Sequence, residues 1–115
     1  MGKRGRNRAR DVPAATVEYA DADGNVLTLR ERVSAGTAAK LREPAGGPAA
    51  STDDMWRRRT ELLFERFAVT WTIADLPLTG QRELLGRYRL ADQATQQWVR
   101  ETLDAHLRTH QPELA

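Results

Sequence analysis

Two short segments near the start of the chain alternate between apolar and polar residues. They cover residues 16–19 and 26–30, and a run of Asp, Gly and Asn separates them. Alternating, β-branched segments on either side of such a turn predict a β-hairpin. The apolar side chains of each strand fall on one face, and they belong to Val17, Tyr19, Leu27 and Leu29. Because an isolated hairpin is only marginally stable in water, we expect it to pack on helices or to pair with another chain.

Apolar residues recur at helical spacing after the hairpin. Ser34 is a suitable N-cap for a short helix over residues 35–43, and a proline ends that helix. Residues 44–51 are small and include two prolines and two glycines, a composition that predicts a loop or hinge. Thr52 and the two acids that follow it predict the cap and first turn of a second helix, which extends to about Ala68.

The second half of the chain predicts two more helices. Residues 69–73 alternate in hydrophobicity and form either a short strand or an extended connector. The Asp-Leu-Pro-Leu stretch that follows predicts a turn, Thr79 caps a third helix, and residues 91–110 form the most regular amphipathic helix. The predicted fold is mainly α, in the α+β class: an N-terminal β-hairpin followed by about four short amphipathic helices. We interpret residues 14–115 as one small domain and residues 1–13 as a disordered basic arm.

Composition narrows the class of protein. The chain has 115 residues, of which 40% are apolar and 30% charged, a profile typical of a soluble globular protein. No apolar run approaches the ~20 residues of a membrane span, and the arginine-rich start lacks the apolar segment of a secretory signal. Cysteine is absent, which excludes disulfides and thiolate metal sites. We therefore expect a cytoplasmic protein without a membrane partner.

Basic charge is concentrated at the N-terminus. The first ten residues contain no acid and five basic side chains, those of Lys3, Arg4, Arg6, Arg8 and Arg10. From residue 11 onward there are 13 basic and 16 acidic side chains, so the body is mildly acidic although the whole chain has a net charge of +2. The arm is a candidate site for nucleic acid, whose phosphates it would neutralise, or for an acidic protein partner. It contains no aromatic residue on which a base could stack.

Two short patterns have the spacing of metal sites. The Asp-x-Asp-x-Asn stretch that begins at Asp21 opens like a calcium loop, but Arg32 occupies the twelfth position, where a bidentate glutamate is required. We therefore interpret this stretch as a turn. His106 and His110 are four residues apart on a helix, which suits one metal ion, but the helix offers no third ligand. We expect a surface position for both histidines near the helix C-terminus, where they suit the helix dipole.

Recognisable catalytic and phosphate-binding motifs are missing from the sequence. It contains no G-x-S-x-G elbow, no P-loop and no G-x-G-x-x-G fingerprint. We therefore predict no catalytic, cofactor-binding or metal-binding residue. The expected protein binds other macromolecules and is not an enzyme.

Aromatic side chains are the candidates for a protein interface. Three tryptophans and one phenylalanine lie on short amphipathic segments: Trp56, Phe67, Trp71 and Trp98. Large aromatic residues on such segments belong to the core more often than to a contact surface. A hairpin and four short helices nevertheless give limited cover for this much aromatic surface. We expect one or two of the three tryptophans to complete an interface with a partner, and all four residues to belong either to the core or to that interface.

Three features occur in order along residues 16–110. The first is the turn and strand of residues 19–30 with the helix that Ser34 begins. The second is the arginine- and leucine-rich helix that runs into residues 68–75, and the third is the Leu-Pro-Leu-Thr stretch of residues 76–79 with the closing amphipathic helix. In this order the features resemble the tail assembly chaperones of long-tailed bacteriophages.

The resemblance implies a function and a partner. Members of that family are small, mostly helical proteins that hold the tape-measure protein while the tail tube polymerises around it. The implied partner is a tape-measure or tail-tube protein, and the implied compartment is the host cytoplasm. An unpaired hairpin edge and spare tryptophan surface also favour a homo-oligomer. Two alternatives stay open: a small nucleic-acid-associated accessory protein that uses the basic arm, and a structural connector or tail component.

Overall fold

The structure is a computed structural model that describes residues 15–43 and 51–115. The predicted arm of residues 1–13, with its five basic candidates, and the predicted loop up to residue 50 lie outside the described residues. The described elements in chain order are β1 (Thr16–Ala20), β2 (Val26–Arg30), α1 (Ala35–Leu41), α2 (Thr52–Phe67), β3 (Ala68–Ile73), β4 (Leu76–Leu78), α3 (Gln81–Leu90), α4 (Gln93–His110) and a C-terminal 3₁₀ turn (Pro112–Leu114). The predicted α+β fold, a hairpin with four helices, is confirmed.

The predicted hairpin is formed by β1 and β2. The strands are antiparallel and pair Tyr19 with Leu27, which places the apolar residues of both strands on one face. Within the turn the Asp21 carboxylate accepts hydrogen bonds from the backbone N–H groups of Asp23 at 2.8 Å and Asn25 at 3.0 Å. Gly24 has a φ of +82°, a conformation that glycine adopts without strain. The carboxylate that suggested a calcium loop is therefore engaged in turn geometry.

The hairpin is extended into a four-stranded antiparallel sheet of order β1-β2-β3-β4. The alternating segment after α2 is a strand and not a connector. The prediction of a turn for the next four residues is wrong for Leu76–Leu78, which forms β4. The turn consists of Ala74 and Asp75, at φ +51° and +65°. Positive φ at both positions is the geometry of a tight hairpin turn, and the Asn25 side chain supports it by accepting from the Ala74 N–H at 3.0 Å.

Capping explains where the helices begin. Three of the four helices have a side chain that accepts a hydrogen bond from the first turn, those that follow Ser34, Ser51 and Asp92. The prediction for Ser34 is confirmed. The cap of α2 is Ser51 and not Thr52, one residue earlier than predicted. The Thr79 prediction is wrong, because Gly80 occupies the cap position of α3 and provides no side-chain hydrogen bond.

The helices cover one face of the sheet and form the core with it. Leu27 and Leu29 of β2 are fully buried there, and aromatic rings pack above them. Phe64 has its ring centroid 5.7 Å from that of Trp71 and 5.2 Å from that of Tyr88. The alternate side chains of β1 to β3 on the opposite face are exposed or half-buried. The body thus has two layers, an antiparallel sheet and the helices that cover one of its faces, and the other sheet face is open among the described elements.

Candidate functional site

The apolar stripe of α2 is covered along only part of its length. Trp56, Leu63 and Phe67 lie on one side of the helix, at spacings of seven and four residues. Leu63 and Phe67 are buried in the core, whereas Trp56 is 65% exposed. The first turns of α2 therefore extend beyond the core and leave an apolar stripe open to solvent.

This open stretch borders a groove between α2 and α4, which we call the Trp56 groove. It has a volume of about 460 Å³. Its apolar lining comes from four leucines on α2, α4 and the C-terminal turn: Leu63, Leu103, Leu107 and Leu114. Charged side chains of both signs complete the lining: Arg59, Arg100, Glu101, Asp104 and Arg108. Trp56 also lines a second, more polar cavity, so its side chain contributes to two concave surfaces.

The far end of the groove is held by hydrogen bonds from the half-buried Arg59 and the buried Gln111. The guanidinium of Arg59 donates to the backbone carbonyl oxygens of Leu41, at 2.8 Å, and of Leu114. The buried amide of Gln111 pairs with the backbone of Val33, accepting from its N–H at 2.9 Å and donating to its carbonyl at 3.1 Å. These contacts fix the C-terminal turn against α1 and α2, so the groove is a preformed surface.

The four aromatic interface candidates fall into two groups. Phe67 and Trp71 are core residues with 0% and 1% exposure, and the Arg87 guanidinium lies 5.9 Å from the centroid of the Trp71 ring. Trp98 is partly buried against the core. Trp56 is the candidate whose side chain is accessible. The structure therefore does not bring the four residues together into one surface.

Comparison with known proteins identifies no relative of this chain. No family model, curated protein or solved structure matches this chain. Within residues 15–43 and 51–115, no helix has the length and apolar character needed to cross a membrane. Over the same ranges, no three His, Cys, Asp or Glu side chains are grouped as metal ligands would be. The assignment of a function therefore depends on the shape and chemistry of the described surfaces.

His106 occupies a buried position that the sequence analysis did not predict. The expected surface location is wrong for this residue, which is 1% exposed. Its Nε2 lies 2.8 Å from the carbonyl oxygen of Arg30 and its Nδ1 lies 2.6 Å from the hydroxyl of Tyr19. Because a carbonyl only accepts, Nε2 carries the proton and Nδ1 accepts from the tyrosine. The overlooked signal was spacing, since His106 follows the buried Val99 by seven residues on one helix face.

The buried imidazole is expected to make stability depend on pH. Burial lowers the pKa of His106 and outweighs the opposing hydrogen bond to Arg30. Below the ordinary histidine pKa of about 6.5, the unfolded chain therefore binds a proton that the folded protein does not. The free energy of unfolding is expected to be highest above about pH 7.5 and to fall as the pH decreases through 6.5. Urea unfolding followed by tryptophan fluorescence between pH 5.5 and 7.5 measures this.

Two histidine variants test whether His106 causes this pH dependence of stability. His106→Gln removes the titrating group and is expected to flatten the pH profile, while His110→Gln retains most of it. His110 is a suitable control because its ring lies only 4.6 Å from that of His106. An unchanged slope in His106→Gln would show that other groups titrate in this range.

Proposed function

We propose that this protein is a non-catalytic assembly chaperone that holds an amphipathic helix of a client protein, the tape-measure protein of a long-tailed phage. The observation that carries the proposal is the exposed Trp56 beside a preformed, leucine-lined groove between two helices. Open grooves with an apolar floor bind the apolar face of a helix, which places anchors at i, i+3, i+4 and i+7. The resemblance to tail assembly chaperones supports the same kind of client.

The rim of the Trp56 groove also suits a helical client. Two arginines and two acids of α4 line the groove, and Arg108 and Asp104 form an ion pair at 2.8 Å, so both signs of charge lie beside the apolar floor. An amphipathic helix carries charged residues of both signs on the flanks of its apolar face. A mixed rim therefore offers partners to such a helix in more than one register. This tolerance is useful for a chaperone that contacts repeated segments of a long client.

The Trp56 groove is expected to bind its client weakly and reversibly. Burying the exposed part of one tryptophan contributes on the order of 2–3 kcal/mol before the cost of association is subtracted. A single groove of this size would thus hold its client loosely, with fast dissociation. Many copies of this protein, bound along a long apolar helix of the client, would keep the client soluble. They would still dissociate when tube subunits cover that helix.

Removal of the Trp56 side chain is expected to weaken capture of the client strongly. In co-expression with the tape-measure protein encoded in the same genome, Trp56→Ala is expected to reduce the co-purified client at least tenfold. The physical reason is that a partly exposed tryptophan at the centre of a contact surface contributes about 2 kcal/mol or more to binding. The yield of soluble tape-measure protein is the second measurement.

The matched control is Leu90→Ala. Leu90 is 85% exposed and lies outside the Trp56 groove, so its truncation removes apolar surface without changing the groove. It is expected to leave capture unchanged. Equal capture by the wild type and Trp56→Ala would contradict the proposal. So would a Trp56→Ala variant that changes only the oligomeric state, measured by light scattering, because the groove would then join two copies of this chain.

A further inference from the structure

Three side chains lie where the two concave surfaces beside Trp56 meet. The second of these surfaces, which we call the polar cavity, has a volume of about 580 Å³ and is lined by residues of α2, α3 and α4. Trp56, Thr60 and Arg100 line both the Trp56 groove and the polar cavity. Trp56 and Thr60 are one helical turn apart on α2, whereas Arg100 comes from α4. A client helix that covers Trp56 therefore also covers Arg100.

Arg100 differs from the other arginines of the two surfaces in its contacts. The other four already have partners: Asp54 for Arg57, Glu61 for Arg89, Asp104 for Arg108, and two backbone carbonyl groups for Arg59. The Arg100 guanidinium donates one hydrogen bond, to the neutral side-chain oxygen of Gln97 at 2.6 Å. Among the described residues it forms no ion pair with an acid. Arg100 is thus the arginine of these surfaces whose charge lacks a counterpart in the described chain.

The acids that line the two surfaces do not neutralise Arg100. Asp104 pairs with Arg108, and the Glu61 carboxylate accepts two hydrogen bonds from Arg89, at 2.7 and 3.2 Å. Glu101 accepts from the Gln97 side-chain amide at 3.1 Å. The remaining acid, Asp53, is exposed in the first turn of α2, where the helix dipole favours its negative charge.

The position of Arg100 makes its unpaired charge important for binding. Its side chain is half-buried, and a guanidinium has five N–H groups, of which the contact with Gln97 uses one. Covering a charge without an opposite charge costs free energy, because the charge loses its water. A client helix with only apolar and neutral side chains would therefore bind with a penalty at Arg100. A carboxylate on the client would remove the penalty, since it accepts two parallel hydrogen bonds from a guanidinium.

We propose that the client helix of the Trp56 groove carries a carboxylate beside its apolar anchors, and that Arg100 selects the client by pairing with this carboxylate. This assignment rests on the proposed function, because it gives a chemistry to the helix that the groove holds. Trp56 and the leucine floor bind the apolar face of any amphipathic helix, whereas Arg100 discriminates between helices by charge. The acid is expected on a helix and not on a free small anion, because the adjoining floor is apolar.

A panel of helical peptides tests the selection. The peptides are about 20 residues long, enough to form helix, and share one leucine face with glutamine on both flanks. In each further member, one flank glutamine is replaced by glutamate or by lysine. By fluorescence anisotropy in low-salt buffer, we expect at least one glutamate peptide to bind the wild type about tenfold more tightly than the all-glutamine peptide. Arg100→Gln is expected to remove this advantage, and Arg100→Glu to transfer it to the lysine peptide with the same position replaced.

The matched control is Arg108→Gln. It removes the same charge from the same helix and groove, but from an arginine that is already paired with Asp104 at 2.8 Å. Because that pair is exposed, we expect the preference for glutamate to change by less than about twofold. Circular dichroism of the three variants is expected to match that of the wild type, since neither arginine belongs to the core.

The possible results separate this selection from the proposed function. Equal affinity of the wild type for the glutamate and glutamine peptides would overturn the selection by Arg100. So would a preference for glutamate that survives Arg100→Gln, or one that Arg108→Gln removes equally. The proposed function would stand after any of these results if Trp56→Ala still loses the all-glutamine peptide. Failure of every peptide to bind the wild type would overturn both.

Discussion

Phe67→Ala is expected to lower the free energy of unfolding by about 3–5 kcal/mol, the range typical of a large buried aromatic residue. Phe67 is 0% exposed and its ring centroid lies 5.6 Å from that of His106, so the truncation leaves a cavity between α2, α4 and the sheet. Equilibrium unfolding in urea, followed by circular dichroism and fitted with a common m-value, measures the change.

The matched control for this prediction is Trp56→Ala. Trp56 lies on the same stripe of α2, eleven residues earlier, but its side chain is 65% exposed. We expect it to change the free energy of unfolding by less than about 1 kcal/mol, because little of its surface leaves water on folding. Similar losses in both variants would mean that the first turns of α2 are packed, and the Trp56 groove would not exist in solution.

Leu114→Ala is expected to destabilise the fold by about 2–5 kcal/mol, although the residue is the second to last of the sequence. Leu114 is 1% exposed, and its carbonyl accepts from the Arg59 guanidinium. Truncation removes apolar contacts that hold the C-terminal turn against α2 and α4. Thermal and urea unfolding report the loss, and reduced client capture is expected with it, since Leu114 lines the Trp56 groove.

Leu90→Ala is the control for the leucine-to-alanine substitution itself, since it makes the same change at an 85% exposed position. It is expected to alter the free energy of unfolding by no more than about 0.5 kcal/mol. If Leu114→Ala were equally mild, the C-terminal turn would be only loosely attached. The hydrogen bonds of Gln111 to Val33 would then not hold it in solution.

Local pattern was sufficient for several elements. The alternating segments and the Asp-rich turn with Gly24 predicted the β1–β2 hairpin, because strand alternation and turn chemistry act over a few residues. The bounds of α1 and α2 were predicted to within two residues, since caps and prolines act on the nearest turn. The N-cap of α3 was predicted wrongly because Thr79 is a favourable cap residue, whereas the helix begins after Gly80.

The β3–β4 hairpin shows where local pattern was insufficient. Its turn residues are Ala74 and Asp75 at positive φ, and the sequence has no Asn-Gly or Asp-Gly there to indicate a tight turn. The backbone of Ala74 is supported by Asn25, which is 49 residues earlier in the chain. A contact between such distant residues has no local signature.

The candidate functional residues also divide into features that the sequence predicted and features that only the structure revealed. Sequence alone determined that the chain forms a hairpin and four amphipathic helices and that basic charge concentrates in residues 1–10. It also determined which aromatic side chains lie on apolar stripes. Each of these is a property of neighbouring residues. Only the tertiary structure decided that Phe67 and Trp71 are buried while Trp56 is exposed, since the helix stripe continues past the end of the core. It also decided that His106 is internal and that Arg100 lines both surfaces beside Trp56. Burial and charge clustering depend on which distant segments pack together, and amphipathic periodicity does not contain that information.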